Sequence, residues 1–198
     1  HRVRAWHQLQ IRQTNQLFNA LYHDVIGERI SKQARERSGL EDSELLYGEI
    51  EFLSFAALLE KIQIKSDEIF YDLGSGTGKA VVAASLLKPF KTCIGIELLP
   101  ELIEVSHHIQ QQLPQNIRFI QADLFEYDFS DADVVFINAT AFFGERWRAI
   151  ENKLYLLKSG SRIIITSKTL NKKNFTLIYQ SQCMMSWGWC RVSIYNRN

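Results

Sequence analysis

Cysteine is scarce in this chain. The three present, Cys93, Cys183 and Cys190, are an odd number without the paired spacing of a metal site. That excludes a disulfide scaffold and points to reduced thiols in an intracellular compartment. Long apolar runs are missing too: Glu, Lys, Asn or Gln interrupts the longest ones, well short of the roughly 20 residues a spanning helix needs. No membrane contact is expected. The start, His1-Arg2-Val3-Arg4, lacks the apolar stretch of a signal peptide, and a first residue other than Met is expected of a fragment or a processed chain. An excess of one charge is also lacking, since the net charge is +1. That small total hides an asymmetry: residues 1–40 carry seven Lys/Arg against three Asp/Glu, and the rest carry sixteen against nineteen. The larger part therefore has no cationic field to grip a polyphosphate. Arg29, Lys32, Arg35 and Arg37 could give local basic contacts to nucleic acid, or could simply be a solvated helix face.

What is present is ordinary globular composition, 46% hydrophobic and 23% charged. Its 198 residues allow one domain with an accessory segment. From residue 5 to 37, Leu9, Leu17, Leu21, Val25 and Ile30 recur at helical spacing, which predicts one or two helices broken near Gly27. A polar linker is expected at 38–43 and another amphipathic helix at 51–62. The chain then alternates. Apolar runs at 69–73, 92–97, 117–121, 134–138 and 162–166 read as buried strands, with helices over 79–87, 101–113 and 145–156. Residues 176–184 and 190–195 read as two further strands around Ser186-Trp187-Gly188-Trp189. Near-continuous apolar strands alternating with helices imply an α/β fold with a doubly wound, mostly parallel, Rossmann-like sheet of seven strands. The last two strands, with no helix between them, imply an antiparallel edge hairpin.

Between the first of these strands and the helix after it lies Asp72-Leu73-Gly74-Ser75-Gly76-Thr77-Gly78. Glycines there let the backbone approach a ligand at a helix N-terminus. The dinucleotide pattern is broken, because Lys79 stands where its third glycine would be, and no Walker G-K-[ST] occurs at the required spacing. An acidic residue opening the loop suits a ligand with an ammonium group and repels a pyrophosphate. Glu97 ends the next strand, 25 residues on, near the spacing at which a carboxylate takes a ribose hydroxyl pair. Asp123-Leu124-Phe125 follows the third strand, where a carboxylate can accept from an adenine amino group and an apolar side chain can cover the ring. Three carboxylates at three adjacent strand ends, with no phosphate-binding cation, fit S-adenosyl-L-methionine. This arrangement, over roughly residues 68–167, resembles the class I methyltransferases.

Further segments resemble one family within that class. They are Tyr47-Gly48-Glu49, Asp72 to Gly78, Asp133 to Asn138 with Ala141-Phe142, Arg162 to Lys168, and Ser186-Trp187 with Val192-Ser193. In this order they resemble the motifs of the disruptor-of-telomeric-silencing family, non-SET methyltransferases acting on a nucleosome-core lysine of histone H3. The resemblance implies a helical segment over 1–46 and a methyltransferase domain over 47–198. It also implies a protein substrate with a target lysine, in the nucleus if that substrate is a histone and in the cytoplasm otherwise. Tyr47, Glu49, Asp72, Gly74, Gly76, Gly78, Glu97, Asp123, Leu124 and Asn138 are the expected cofactor-binding residues. The chain departs from the family at Ala139, where the family has a second Asn, and at Thr140, where it has Phe. Ile194 falls where the family has a channel Tyr, and Tyr195 is its neighbour on the opposite strand face. No long basic extension stands in these residues.

A sulfonium donor needs no metal to activate it. The protein must align it, exclude water and present a neutral amine. Phe136 and Trp187 are the expected walls of an apolar lysine channel, and Asn138 is expected to orient the amine through its amide oxygen. Each also has a plainer reading: Phe136 as core, Trp187 as a cap on the sheet edge, Asn138 as a turn former. Glu49 either holds the methionine end of the cofactor or caps the following helix. Lys168 is either structural or near the substrate mouth. His107 and His108 belong to a helix surface, and Cys183 and Cys190 to strand packing. A non-histone protein, RNA or small-molecule substrate, and a non-catalytic cofactor-binding module, are the alternatives.

Overall fold

The computed structural model describes residues 2–38, 47–113 and 116–198. All but the first residue of the linker expected at 38–43, and the boundary placed after residue 46, lie outside the described residues. The helices are α1 (Arg2–Leu21), α2 (Gly27–Ser38), α3 (Phe52–Leu59), α4 (Lys79–Leu87), α5 (Pro100–Gln110) and α6 (Gly144–Leu154). The strands are β1 (Ile69–Leu73), β2 (Thr92–Glu97), β3 (Ile117–Gln121), β4 (Val134–Ile137), β5 (Arg162–Thr166), β6 (Phe175–Met185) and β7 (Gly188–Arg197). They form one seven-stranded sheet in the order β3-β2-β1-β4-β5-β7-β6. β1 to β5 are parallel, whereas β7 runs antiparallel to both β5 and β6.

Alternation within these strands explains why they read as unbroken apolar runs. Phe70, Cys93, Val134, Phe136, Ile164 and Ile194 face one core with α1, α3 and α4. Tyr71, Ile94, Val135, Ile137, Ile163 and Tyr195 face the other with Ile150 and Leu154 of α6. Both faces of β1, β2, β4 and β5 are covered, so apolar residues fill most of their positions. The helices α1 and α2 join this body: Phe18 and Tyr22 lie in the first core, and Ala34 packs with Leu99 and Leu102 of the α5 region.

The N-terminal edge of the sheet is pinned by charge. Glu68, just before β1, meets Arg162 at the start of β5 at 2.5 Å, both largely out of solvent. Asp133 accepts from the Ile69 N–H at 2.8 Å and pairs with Lys158 at 2.6 Å. Removing one partner of a buried pair strands the other, so Arg162→Ala is expected to cost about 3 kcal/mol. Denaturant midpoints at constant slope would check this. With that edge closed, the opposite edge is where loops diverge. The strand order reverses between β1 and β4, which leaves a crevice outside their C-terminal ends.

Candidate active site

Three glycines in left-handed backbone carry the chain from β1 into α4: Gly74, Gly76 and Gly78, with φ of 81°, 56° and 84°. A side chain at Gly78 would also collide with Phe119, whose Cζ lies 2.4 Å from the position of a Cβ. Asp72 ends β1 with its carboxylate buried and without a hydrogen bond among the described residues. Burial, and then the nearby Glu97, hold its pKa well above the usual carboxylate range. Glu97 is bound to backbone. Its Oε2 accepts from the Gly76 N–H at 2.8 Å, and its Oε1 accepts from Leu98 and Leu99 at 2.8 and 2.9 Å. Burial raises its pKa, opposed by these backbone bonds. Glu97 thus holds the glycine loop and the α5 start together, leaving one Oε2 lone pair for a ligand.

Residues 47–51, far from the C-terminal hairpin in sequence, are stitched to it. Ser186 donates its N–H to the Glu49 carbonyl at 2.7 Å, and its hydroxyl accepts from the Glu49 N–H at 3.1 Å. Glu51 N–H bonds the Met184 carbonyl at 3.0 Å, and Ile50 bridges Met185. This lays the Trp187 ring on Gly48, where a Cβ would stand 1.7 Å from Trp187 Cζ3. Asn138, just past β4, donates its Nδ2–H to the Gly48 carbonyl at 3.1 Å. Three distant motifs therefore meet at one glycine.

The Asn138 amide oxygen is already engaged, contrary to the expectation that it faces an amine. It accepts from Thr166 Oγ1 at 2.7 Å and Thr140 Oγ1 at 3.0 Å. Thr140 also meets Ser167 Oγ at 2.9 Å, and Ser167 meets Cys190 Sγ at 3.0 Å. Ser167 is the one non-glycine residue with positive φ among those described, at 62°. Such backbone costs about 1 kcal/mol or more and persists where surrounding contacts over-determine it, here a row of hydroxyls behind Asn138.

These elements enclose a cavity of about 530 Å³, a volume typical of a cofactor site. Of the residues nominated from the sequence, Tyr47, Glu49, Asp72, Gly74, Gly76, Glu97, Asp123, Leu124, Phe136, Asn138 and Trp187 line it. Gly78 does not; its role is the turn and the space it leaves for Phe119. Phe136 is both wall and core, 3% exposed and edge-on to Phe55 at 5.2 Å. Ile194 and Tyr195 are buried in opposite cores and neither lines the cavity. Asp123 turns the chain after β3, accepting from the Phe125 N–H at 2.8 Å.

The rim is not free of cations, as the spacing had suggested. Lys79 lines it and pairs with Glu49 at 2.5 Å, its ammonium 5.4 Å from the centre of the Tyr22 ring. Glu49 also accepts from Thr77 Oγ1 at 2.9 Å and from the Tyr47 hydroxyl. Burial and the adjoining Glu49 push the Tyr47 pKa up, so it remains a donor. Tyr22, at the end of α1, donates to the Thr77 carbonyl at 3.1 Å. Lys79 and Thr77 flank a motif that was legible, and their neighbourhood was the available signal. Tyr22 had none, and Thr140 and Ser167 stood out only by their places in the family's motifs.

A sequence model of the family described as histone methylation protein DOT1 matches residues 31–186. The chain belongs to this family. Among its relatives, a histone-lysine N-methyltransferase of Eremothecium gossypii, specific for H3 lysine-79, is 27% identical over 200 residues. That match covers 88% of this DOT1-family chain and 35% of the relative, so the chain spans about a third of that protein's length. A carboxy-S-adenosyl-L-methionine synthase of Helicobacter hepaticus is 33% identical over 137 residues, covering 67% of this chain and 56% of that one. Among solved structures, an RNA methyltransferase from Salinibacter ruber in complex with S-adenosyl-L-homocysteine superposes with a TM-score of 0.60 at 22% identity. It covers 72% of this chain and 89% of that one, a likeness of fold. In fold the DOT1-family chain is like the solved methyltransferases.

Proposed function

We propose that this chain is a protein-lysine N-methyltransferase that uses S-adenosyl-L-methionine, with a histone H3-type lysine as substrate. The observation that carries the reading is the meeting of Gly48, Asn138 and Trp187 beside the Asp72–Glu97 cavity. The residues present fit the cofactor. Asp72 offers a buried carboxylate with no hydrogen bond among the described residues, where Ser75 Oγ of the glycine loop is likewise buried without a partner. Both are groups that a polar ligand satisfies. In this reading Asp72 holds the amino acid's ammonium, Glu97 takes a ribose hydroxyl on its remaining lone pair, and Asp123 with Leu124 receives the adenine. When bound, the cofactor supplies an activated methyl group on a positively charged sulfur.

The chain's own task is to deliver a neutral amine. A free lysine has a pKa near 10.4, so on the order of one in a thousand is neutral at pH 7. Apolar walls lower that value by disfavouring the ammonium, and Phe136 and Trp187 supply such walls. Their aromatic faces also favour the cations present before and after transfer. Asn138, its oxygen held by Thr140 and Thr166, acts as a positioning residue that fixes the Gly48 carbonyl at the cavity. Water is the route for the departing proton.

A second reading, a non-histone protein substrate, is favoured by the channel's missing tyrosine, since neither Ile194 nor Tyr195 reaches the cavity. Tritiated S-adenosylmethionine offered with nucleosomes, free histones, a protein extract and RNA tests both. Label is expected on lysine in protein, on histones for the first reading and elsewhere for the second. Asn138→Ala should lower transfer about a hundredfold, the usual effect of a small misplacement at a reacting centre. Label that survives protease and is lost to ribonuclease would overturn the lysine reading.

A further inference from the structure

α2 presents its smallest residues to the site. Gly27, Ser31 and Ala34 are buried at helical spacing, while Arg29, Lys32 and Arg37 of the same helix are exposed. The small face allows close approach: the Tyr47 hydroxyl lies 2.2 Å from where a Cβ on Gly27 would stand. One turn beyond Ser31, Ala34 packs with Leu99 and Leu102, the segment whose backbone Glu97 holds at the end of β2.

Ser31 does not belong to an ordinary small-residue contact. It is 1% exposed, and its hydroxyl has no hydrogen-bond partner among the described residues. A helical serine usually satisfies itself on the carbonyl one turn back, and this one does not. Ser31 also lines the cavity that holds Asp72 and Glu97. A buried hydroxyl without a partner, on a residue that lines a ligand-sized space, is a donor and acceptor that a ligand can satisfy.

We infer that α2 is a wall of the cofactor site and that Ser31 Oγ hydrogen-bonds the nucleoside half of the bound cofactor. This rests on the proposed S-adenosylmethionine reading and extends it to the helix that precedes the methyltransferase motifs. The nucleoside half is assigned because Ala34, one turn beyond Ser31, packs with Leu99 and Leu102 on the Glu97 side, whereas Tyr47 meets α2 a turn earlier, at Gly27. Arg29, Lys32 and Arg37 of the same helix are exposed and take no part.

Calorimetry on the whole chain, with S-adenosyl-L-homocysteine and with 5′-methylthioadenosine, which lacks the amino acid, tests this. Ser31→Ala is expected to weaken both by about fivefold, the size of one neutral hydrogen bond. Its ligand-free melting temperature should be unchanged or higher, because Ala is the better helix former and leaves no hydroxyl unpaired. Equal affinity in the variant, or a loss confined to the homocysteine compound, overturns the assignment. A wild-type chain that binds homocysteine compound normally while Ser31→Ala does too removes only the role of Ser31. A wild-type chain that binds neither compound removes the cofactor reading and this inference with it.

Discussion

Asp72→Asn is expected to melt at a higher temperature than the unsubstituted chain and to bind S-adenosylmethionine about a hundredfold more weakly. Both effects come from one buried carboxylate without a hydrogen bond among the described residues. Its folded pKa is raised above the unfolded value by burial and by Glu97. The folded chain therefore holds that proton more tightly than the unfolded chain does. At this position stability is complete below the unfolded value, near 3.9, and falls as pH rises towards the raised folded value. Asn has the same shape without the charge, so it removes that loss. A gain of about 1 kcal/mol corresponds to roughly 2–4 °C for a chain of this size.

Binding has the opposite requirement. A cationic ligand favours the ionised form, so its affinity should rise with pH over the window in which ligand-free Asp72 loses its proton. Losing a hydrogen bond to a charged group costs about 1.5–3 kcal/mol, and the upper end is roughly a hundredfold. Thermal melts with and without ligand, with calorimetry at several pH values, would check both arms. A variant that is less stable, or that binds as tightly as the original, would contradict the placement of Asp72.

The second large effect is expected at Gly48. Gly48→Ala puts a methyl group where the Trp187 ring lies. Gly48 does not have positive φ, so the backbone tolerates the change and the ring must yield. Trp187 is 46% exposed at the turn between β6 and β7, so it can swing away without unfolding the sheet. Transfer should fall about a hundredfold, as for other small displacements at a reacting centre. Affinity for S-adenosyl-L-homocysteine should stay within a few-fold, because Asp72 and Glu97 are untouched. Trp187→Ala should reproduce this split. Single-turnover rates beside calorimetry would reveal it, and equal losses in binding and turnover would argue against Trp187 as a channel wall.

The cavity lining also carries an exposed aromatic residue. Phe143 is 63% exposed, with the Lys168 ammonium 4.0 Å from the centre of its ring. Lys168, left open from the sequence, thus sits against an aromatic residue of the cavity lining.

The sheet was legible because local pattern and global burial agree in it. β1, β2, β3 and β5 have the bounds their apolar runs predict, and β4 differs by one residue, Asn138. Apolar composition over four to six residues is nearly sufficient when both faces are buried. Helix ends were less legible: α3 stops at Leu59 and α6 at Leu154, earlier than their periodicity suggested, since fraying turns keep the same residue types as the helix. The glycine loop and the carboxylates Asp72, Glu97 and Asp123 were legible because a strand end followed by a turn fixes position without reference to distant residues.

Sequence alone thus determined the α/β sheet, the strand-end carboxylates and the order of the family's motifs. Tertiary structure alone decided that residues 47–51 pair with the C-terminal hairpin, that Trp187 rests on Gly48, and that Glu97 spends three hydrogen bonds on backbone. It also decided that Lys79 is neutralised by Glu49, and that a serine on α2 lines the cavity with its hydroxyl unsatisfied among the described residues. The physical reason is range. Periodicity and turn chemistry act over a few neighbours, whereas the pairing of a hydroxyl or a carboxylate depends on which distant segment the packed sheet brings within 3 Å.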